Sequence, residues 1–245
     1  MIRNSALILG ARSDIGVATA HGLAAAGYPV VLAARNVAGL EAEKQDIQLR
    51  YGVEVTLAEF DVLNTDSFGP FIASLPDLPE IAVCAVGLMG DQDENEVDTA
   101  AAQAVFRSNF EGPAQIFALL GSAFAERGAG TLVGISSVAG VRGRASNYVY
   151  GSAKAGFTAF LSGLRNRLYD DGVHVVTVLP GFVNTQMTAG MDLPARLTAE
   201  PEEVGEAIVK AVQKRKNVIY VKPIWQLIMS VIRNIPEGIF KKTQI

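Results

Sequence analysis

Short apolar segments alternate along the chain with longer segments of helical periodicity, and this alternation limits the choice of fold more than any other feature. Nearly continuous apolar runs, typical of strands covered on both faces, occur at 6–9, 30–34, 53–59, 81–86, 131–136, 174–179 and 218–221. Helical patterns lie between them, for example at 15–26, 37–51, 113–127, 149–170 and 201–213. The order predicts an α/β fold, a doubly wound sheet of about seven parallel strands flanked by helices.

Length and composition indicate one globular domain. The 245 residues, 49% apolar and 19% charged, fit a single domain over 1–245 with an apolar helical extension at about 223–245. The net charge of −4 and the lack of a basic block argue against a nucleic-acid partner. The single cysteine, Cys84, excludes an internal disulfide and suits a reducing compartment, and the two scattered histidines, His21 and His174, predict no metal site. With no signal-peptide pattern and no membrane-spanning apolar stretch, we expect a cytoplasmic protein.

A glycine-containing loop follows the first predicted strand and leads into a helix. Glycines at this point allow a tight turn and let backbone N–H groups approach a pyrophosphate at the helix N-terminus. The loop therefore predicts a dinucleotide site formed by Gly10, Arg12, Ser13, Asp14, Ile15 and Gly16.

The end of the second predicted strand indicates which dinucleotide binds. A carboxylate there would accept hydrogen bonds from both ribose hydroxyls of NAD, but the chain has Arg35 followed by Asn36. A guanidinium suits a 2′-phosphate, and Arg12 would add a second cation, so we predict NADP(H) as the cofactor. The alternative is that both arginines are solvated surface residues.

Tyr150 precedes Lys154 by one helical turn, and Ser137 lies thirteen residues before the tyrosine. The i, i+4 spacing places phenol and ammonium on one helix face, where the ammonium is expected to lower the pKa of the phenol and make it a usable acid or base. Two neighbours are rivals. Tyr148 has Ser152 at i+4, which cannot lower a pKa, and Ser136 does not have the thirteen-residue offset.

These motifs together resemble the short-chain dehydrogenase/reductase family over nearly the full length, which implies a Rossmann fold. Ser137, Tyr150 and Lys154 match the family's catalytic residues in order and spacing, and Asn109 falls at its active-site asparagine. The resemblance implies further cofactor contacts at Asp61, Val62, Gly87, Pro180, Gly181, Val183 and Thr185, besides Tyr150 and Lys154 themselves.

The chain departs from the family pattern at three places. Leu9 and Asp14 replace a threonine and a glycine of the glycine loop, and Cys84-Ala85-Val86-Gly87 replaces an Asn-Asn-Ala-Gly motif that normally braces the sheet and that loop. The usual C-terminal Asp-Gly-Gly element is missing. These departures point to a narrower and looser similarity to reductases of polyprenyl-phosphate-linked keto-sugars, which implies a lipid-linked or otherwise lipophilic keto substrate.

The implied reaction is hydride transfer from NADPH to a ketone, giving a secondary alcohol. Tyr150 would protonate the oxygen, Ser137 would donate a hydrogen bond to it, Lys154 would hold the nicotinamide ribose, and Asn109 would support a water chain to Lys154. Two alternatives remain open: reduction of another lipophilic ketone such as a 3-oxoacyl chain, and a non-catalytic NADP(H)-binding regulator or scaffold. The family resemblance implies a homodimer or homotetramer.

The C-terminal segment predicts an amphipathic helix. Ile224, Leu227, Ile228, Val231 and Ile235 form one apolar stripe, which Trp225, Met229 and Ile232 widen. We weigh two roles, packing over the substrate pocket or in a dimer, and docking on the inner face of the membrane with nearby cations at lipid headgroups.

Overall fold

A computed structural model describes residues 4–243. Seven parallel strands form one sheet: β1 Ala6–Leu9, β2 Val30–Ala34, β3 Val55–Glu59, β4 Ile81–Cys84, β5 Gly130–Ile135, β6 Val173–Pro180 and, at the far edge, β9 Val218–Val221. The sheet order is β3-β2-β1-β4-β5-β6-β9, which confirms the predicted doubly wound topology. Two short strands that the sequence did not predict, β7 Phe182–Val183 and β8 Thr198–Ala199, pair with each other beside it.

Helices cover both faces of the sheet, as the near-complete burial of its strands requires. The helices are α1 Asp14–Ala25, α2 Glu41–Tyr51, α3 Phe68–Ala73, α4 Gln92–Val97, α5 Thr99–Phe106, α6 Gly112–Arg127, α7 Tyr148–Arg167, α8 Pro201–Gln213, α9 Ile224–Asn234 and α10 Glu237–Phe240. One apolar core lies between the sheet and the α1, α2 and α8 side, and a second lies between the sheet and the α3, α6 and α7 side. No helix among the described residues has the length and apolar character needed to cross a bilayer.

The helix termini are fixed by local chemistry. Ser13 caps α1 by accepting a hydrogen bond from Gly16 N, and Asp91 and Asp98 cap α4 and α5. Gly128 ends α6 in the left-handed conformation. The strand order reverses between β1 and β4, so the loops after these neighbouring strands diverge to opposite sides and leave a crevice at the carboxyl ends of the sheet.

The C-terminal segment differs from the predicted single stripe. Ile235 and Pro236 separate α9 from α10. Trp225 and Met229 are the buried residues of α9, whereas Leu227 and Val231 are 63% and 60% exposed. The inward face of α9 is therefore formed by Trp225 and Met229, which the sequence analysis treated only as residues that widen the apolar stripe.

Candidate active site

A cavity of about 660 Å³ lies at the crevice, at the carboxyl ends of β1, β4, β5 and β6. Most of the predicted site residues line it: Arg12, Ser13, Asp14, Ile15, Gly87, Ser137, Tyr150, Lys154, Pro180, Gly181, Val183 and Thr185. Six other predicted residues are not part of this lining: Gly10, Gly16, Arg35, Asp61, Val62 and Asn109. The sheet thus collects in one place residues that are far apart in sequence.

The loop after β1 needs glycine at two positions because the backbone is closely approached there. Gly10 has φ of +84°, and a Cβ on it would lie 2.8 Å from Val86 N. A Cβ on Gly16 would lie 2.6 Å from Gly10 O. The first turn of α1 therefore sits directly on the loop, with its N-terminal N–H groups beside the cavity.

Ser13 provides a brace where the family's asparagine motif is missing. Its hydroxyl lies 2.8 Å from Gly10 O and 3.2 Å from Ala85 O, so it links the glycine loop to the segment after β4. Cys84 is buried, and burial raises the pKa of its thiol to about 11, which keeps it neutral. The sequence analysis did not anticipate this role for Ser13.

Asp14 also has a contact that its sequence position did not suggest. Its Oδ2 accepts a hydrogen bond of 2.8 Å from Gln186 N, in the segment that follows Thr185. The carboxylate at the start of α1 thus joins the glycine loop to the loop on the opposite side of the cavity.

The end of β2 presents Arg35 to solvent, and Arg12 Nη1 lies 3.4 Å from the Arg35 carbonyl oxygen. Next to them, Glu59 accepts hydrogen bonds from the backbone N–H groups of Asn36 and Val37, at 2.8 and 3.0 Å. The Arg12 guanidinium therefore lies against the backbone of Arg35, both residues are exposed, and the carboxylate beside them is already bound to backbone donors.

The region after β3 places Asp61 and Val62 away from the cavity lining. Asp61 Oδ1 accepts a hydrogen bond of 3.0 Å from Leu63 N, and Val62 is buried against Gly112. Their predicted contact with the adenine stays a prediction.

Ser137, Tyr150 and Lys154 meet in the cavity. Burial raises the pKa of Tyr150 to about 12, and a hydrogen bond with Ser137 acts against this increase. Lys154 is 3% exposed, its Nζ donates to Ile135 O at 3.0 Å, and burial lowers its pKa to about 8. Lys154 Nζ lies 5.8 Å from the centroid of the Tyr150 ring.

The expectation that Lys154 lowers the pKa of Tyr150 is wrong for this structure. Both groups lose hydration, and desolvation disfavours the charged form of each: phenolate for the tyrosine, ammonium for the lysine. At neutral pH Tyr150 is therefore a protonated phenol, which is a proton donor.

The neighbouring rivals of these residues have structural contacts. Ser136 Oγ lies 2.9 Å from Lys154 O and 2.7 Å from Thr158 Oγ1, so it holds β5 to α7. Tyr148 is 43% exposed and is absent from the cavity lining, where Tyr150 is present. Loss of hydration raises the pKa of Tyr148, and the charge of Glu96 and a hydrogen bond with it add to the increase.

Asn109 lies in a π-helical turn, Arg107–Glu111, between α5 and α6 and is fully buried. Its Nδ2 donates to Leu88 O at 2.6 Å and to Val105 O at 2.8 Å, and its Oδ1 accepts from Leu88 N. Single π turns inside helices occur frequently at functional sites. Asn109 fixes the loop after β4 against the helix that carries it.

Trp225 of α9 packs on the segment after β6, a contact that sequence reasoning missed. A Cβ on Gly181 would overlap the indole ring, which also meets Phe182 edge to face at 5.3 Å. Its Nε1 donates to Leu197 O at 3.0 Å. Trp225 lines the cavity, so α9 forms part of its wall.

Arg142 holds the end of α9 to the loop between β5 and α7. Its Nη1 lies 2.8 Å from Ile232 O and 2.5 Å from Ile235 O, and Nη2 donates to Glu237 at 2.8 Å. The guanidinium stacks over the Phe240 ring at 3.7 Å. The loop that joins Ser137 to Tyr150 is thus bound to the C-terminal helices.

The two histidines lie outside the cavity. His21, Glu43 and Asp46 offer three possible metal ligands within 4.8 Å of one another, a grouping that the sequence did not reveal. His21 is hydrogen-bonded to Glu43 and Tyr51, and Asp46 pairs with Arg50, so protein partners already engage these groups.

Comparison with known proteins gives the family. A family model described as short chain dehydrogenase matches residues 4–194, so the chain belongs to the short-chain dehydrogenase family. An uncharacterised oxidoreductase of Mycobacterium tuberculosis is 37% identical over 241 residues, covering 96% of this chain and 95% of the relative. A ketoacyl reductase of a Nostoc species is 28% identical, covering 88% and 77%.

Among solved structures, a short-chain dehydrogenase from Sphingobium yanoikuyae in complex with NADPH has a TM-score of 0.82. It is 23% identical and the match covers 96% of this chain and 97% of that one. The agreement in fold extends over almost the whole chain. The protein is thus an oxidoreductase of this family.

Proposed function

We propose that this chain is a single-domain, NADP(H)-dependent oxidoreductase that reduces a ketone to a secondary alcohol. The observation that carries the proposal is one cavity that brings together Tyr150, which is hydrogen-bonded to Ser137, the buried Lys154 one helical turn further on, and the N-terminus of α1. A non-catalytic regulator would have no need for a neutral phenol and a buried lysine at such a place.

The residues around the cavity suit a dinucleotide phosphate. Gly10 and Gly16 bring the backbone of the glycine loop close to the cavity, and Ser13, Asp14 and Ile15 line it at the positive end of the α1 dipole. Arg12 and Arg35 would bind the 2′-phosphate, Asp61 and Val62 the adenine, and the segment from Pro180 to Thr185 the nicotinamide amide. The NADPH in the Sphingobium structure supports this choice of cofactor.

In the proposed reaction, bound NADPH would supply the hydride that adds to the carbonyl carbon. Tyr150 gives its proton to the carbonyl oxygen as the C=O π bond breaks, and the product is the secondary alcohol. Ser137 donates a hydrogen bond to the oxygen where negative charge develops. Lys154 holds the ribose hydroxyls, and with Asn109 it returns a proton to the Tyr150 phenolate from water.

The mechanism is tested with Tyr150→Phe and a matched control, Tyr148→Phe. Loss of the proton donor is expected to reduce kcat for NADPH oxidation with a ketone by about 10²–10⁴-fold and to leave NADPH binding largely intact. The control removes an exposed hydroxyl two residues away and should retain turnover. Equal activity of the two variants would exclude Tyr150 as the acid.

The choice of cofactor is tested with Arg35→Asp. The variant is expected to lose affinity for NADPH relative to NADH, because it replaces a cation beside the 2′-phosphate by an anion. Fluorescence titration with both nucleotides measures the ratio. An unchanged ratio would remove Arg35 from the 2′-phosphate site.

For the substrate, we propose a lipophilic ketone, in the sharper form a polyprenyl-phosphate-linked keto-sugar. Trp225, Phe182, Met187 and Met191 give the cavity an apolar side, which suits a lipid-bearing substrate. The relationship to a ketoacyl reductase favours a second candidate, a 3-oxoacyl chain. Comparison of kcat/KM for a polyprenyl-phosphate keto-pentose and a 3-oxoacyl thioester decides between them.

We also propose that the exposed face of α9 contacts the membrane surface. Leu227 and Val231 are 63% and 60% exposed, and Arg233, Lys241 and Lys242 are close in sequence. Leu227→Ser with Val231→Ser should reduce cosedimentation with anionic phospholipid vesicles. The control is Leu49→Ser, which removes an even more exposed leucine, 87% exposed, on α2. Equal sedimentation of both variants would oppose the proposal.

Self-association as a homodimer or homotetramer completes the proposal. Phe106, Phe110 and Leu119 are 40%, 38% and 45% exposed in the region of α5 and α6, and an apolar face of this kind favours a second copy. Light scattering after size-exclusion chromatography measures the state, and a monomer at micromolar concentration would contradict it.

A further inference from the structure

Arg144 lines the cavity, and its side chain has no hydrogen-bond or ion-pair partner among residues 4–243. It lies in the loop between β5 and α7, six residues before Tyr150. Its Nε is shielded from solvent and makes no hydrogen bond, and no ion pair or side-chain hydrogen bond joins its guanidinium to any residue from 4 to 243. Burial lowers the pKa of the guanidinium, and no acidic group counteracts this effect.

Two other partly buried arginines, Arg127 and Arg165, are satisfied by protein oxygens. Arg127 donates to the carbonyl oxygens of Ala129, Leu78 and Pro79 at 2.7–2.9 Å. Arg165 donates to Val175 O at 2.7 Å and to Thr177 Oγ1 at 2.6 Å. A shielded cationic donor without a partner costs free energy, which a protein avoids unless a ligand supplies the acceptor.

A second unpartnered polar atom lies close to Arg144 in sequence and on the same wall. Asn147 lines the cavity, and its Oδ1 is shielded from solvent without a hydrogen-bond donor. Asn147 occupies the N-cap position of α7 but its side chain does not cap the helix. One loop thus contributes to the cavity wall two residues that each carry a polar atom without a hydrogen-bond partner, Arg144 and Asn147.

The carboxylates that line the same cavity are engaged elsewhere or exposed. Asp14 accepts from Gln186 N, and Asp91 caps α4 by accepting from Glu94 N. Asp93 is exposed. None of the three lies within ion-pair distance of Arg144 in the part of the chain that the structure covers.

We propose that Arg144 binds an oxyanion carried by the ketone substrate, a phosphate ester or a carboxylate, and that Asn147 accepts a hydrogen bond from a substrate hydroxyl. This inference rests on the proposed ketone reduction, and it adds that the substrate carries a negative charge. Guanidinium binds such oxyanions through two parallel hydrogen bonds, and a charged hydrogen bond in a shielded site has a large effect on affinity. The apolar side formed by Trp225 and Met187 then receives the rest of the substrate.

The test compares matched ketones that differ in charge: dihydroxyacetone phosphate with dihydroxyacetone, and acetoacetate with ethyl acetoacetate. For the wild type, kcat/KM is expected to favour the anionic member of at least one pair. Arg144→Met should reduce that preference about 10–100-fold, and Arg144→Lys should restore part of it. The control Arg167→Met removes an exposed cation of α7 and should leave the preference intact. The pair that shows the preference distinguishes phosphate from carboxylate.

Calorimetric titration of the NADPH-loaded Tyr150→Phe protein, with and without Arg144→Met, measures binding without turnover. Arg144-dependent binding of dihydroxyacetone phosphate or acetoacetate supports the inference even if no ketone in the panel is reduced. Reduction of neutral ketones with no preference for anionic ones would overturn it while the proposed function stands. A loss of NADPH affinity in Arg144→Met, with unchanged charge preference, would assign Arg144 to the cofactor and also overturn the inference.

Discussion

Replacing Lys154 with methionine is expected to stabilise the fold at neutral pH although it removes activity. Burial lowers the pKa of Lys154 from the ordinary 10.5 to about 8, so the folded state loses about 3 kcal/mol by holding the charged form at pH 7. The hydrogen bond from Nζ to Ile135 O offsets about 1 kcal/mol of this cost. Methionine has a similar length and no charge, so the variant should be more stable by about 2 kcal/mol.

The advantage of the Lys154→Met variant should depend on pH in a defined direction. The pKa of Lys154 in the folded state, about 8, is below the unfolded value of 10.5, so unfolding takes up a proton between these values. The cost is complete below pH 8 and disappears as the pH rises to 10.5. The stability of the wild type should therefore rise through this window, and the difference from the variant should shrink to nearly zero by about pH 10.

Urea unfolding followed by far-UV circular dichroism at pH 6 to 10 measures both the difference in stability between Lys154→Met and the wild type and the pH dependence of that difference. Lys214→Met, at an exposed lysine of the α8 C-terminus, is the control and should show no comparable pH-dependent difference. NADPH oxidation with a ketone should fall at least about 100-fold in Lys154→Met. A variant that is less stable than the wild type at pH 7, or a difference that does not change with pH, would refute the reasoning.

Three further outcomes follow from the site. Gly181→Ala should overlap the Trp225 ring and lower stability by about 1–3 kcal/mol, measured as a fall in Tm, and Trp225→Leu in the same chain should recover part of the loss. Arg142→Met should speed tryptic cleavage after Arg233 of α9 and after Lys241 and Lys242, which follow α10, and should lower kcat/KM, whereas Glu237→Gln, which removes only one exposed pair, should change little. Between pH 6 and 9 the rate of ketone reduction should show no change caused by ionisation of Tyr150, whereas the rate of alcohol oxidation should rise with pH. The opposite pattern would contradict a raised pKa of Tyr150.

The inner strands were predictable because they bury both faces and so appear as nearly continuous apolar runs, and the partly exposed edge strands β3 and β9 are still largely apolar in sequence. All seven strands of the main sheet were found, with ends that differ by two residues or fewer. Helices α3, α4 and α5 were not predicted. They have six to eight residues, and α4 contains a single buried residue, so no apolar periodicity marks them. The only sequence signals of this kind are the cap residues Asp91 and Asp98, which mark the starts of α4 and α5.

The candidate site was predictable where its chemistry is local in sequence. The glycine loop and the pair Tyr150 and Lys154 depend on spacings of a few residues, which survive in any fold that forms the turn or the helix. Arg142 and Trp225 act through partners 90 and 28 residues away in the chain, and no spacing marks such contacts. Arg144 was equally invisible, because its signal is a missing partner, and only the fold shows which donors remain unused.

The local sequence pattern predicts a lowered pKa for Tyr150, whereas the folded protein raises it. The difference bears on whether the phenol gives or takes a proton. Spacing predicts a phenol next to a full positive charge, but burial brings the pKa of Lys154 to about 8, close to working pH, and raises that of Tyr150 to about 12. A phenol that keeps its proton is prepared to donate it to a developing alkoxide and is poorly prepared to accept one from an alcohol. Ser137, whose hydrogen bond lowers the pKa of Tyr150, is then the residue that opposes the effect of burial and keeps the phenol proton transferable.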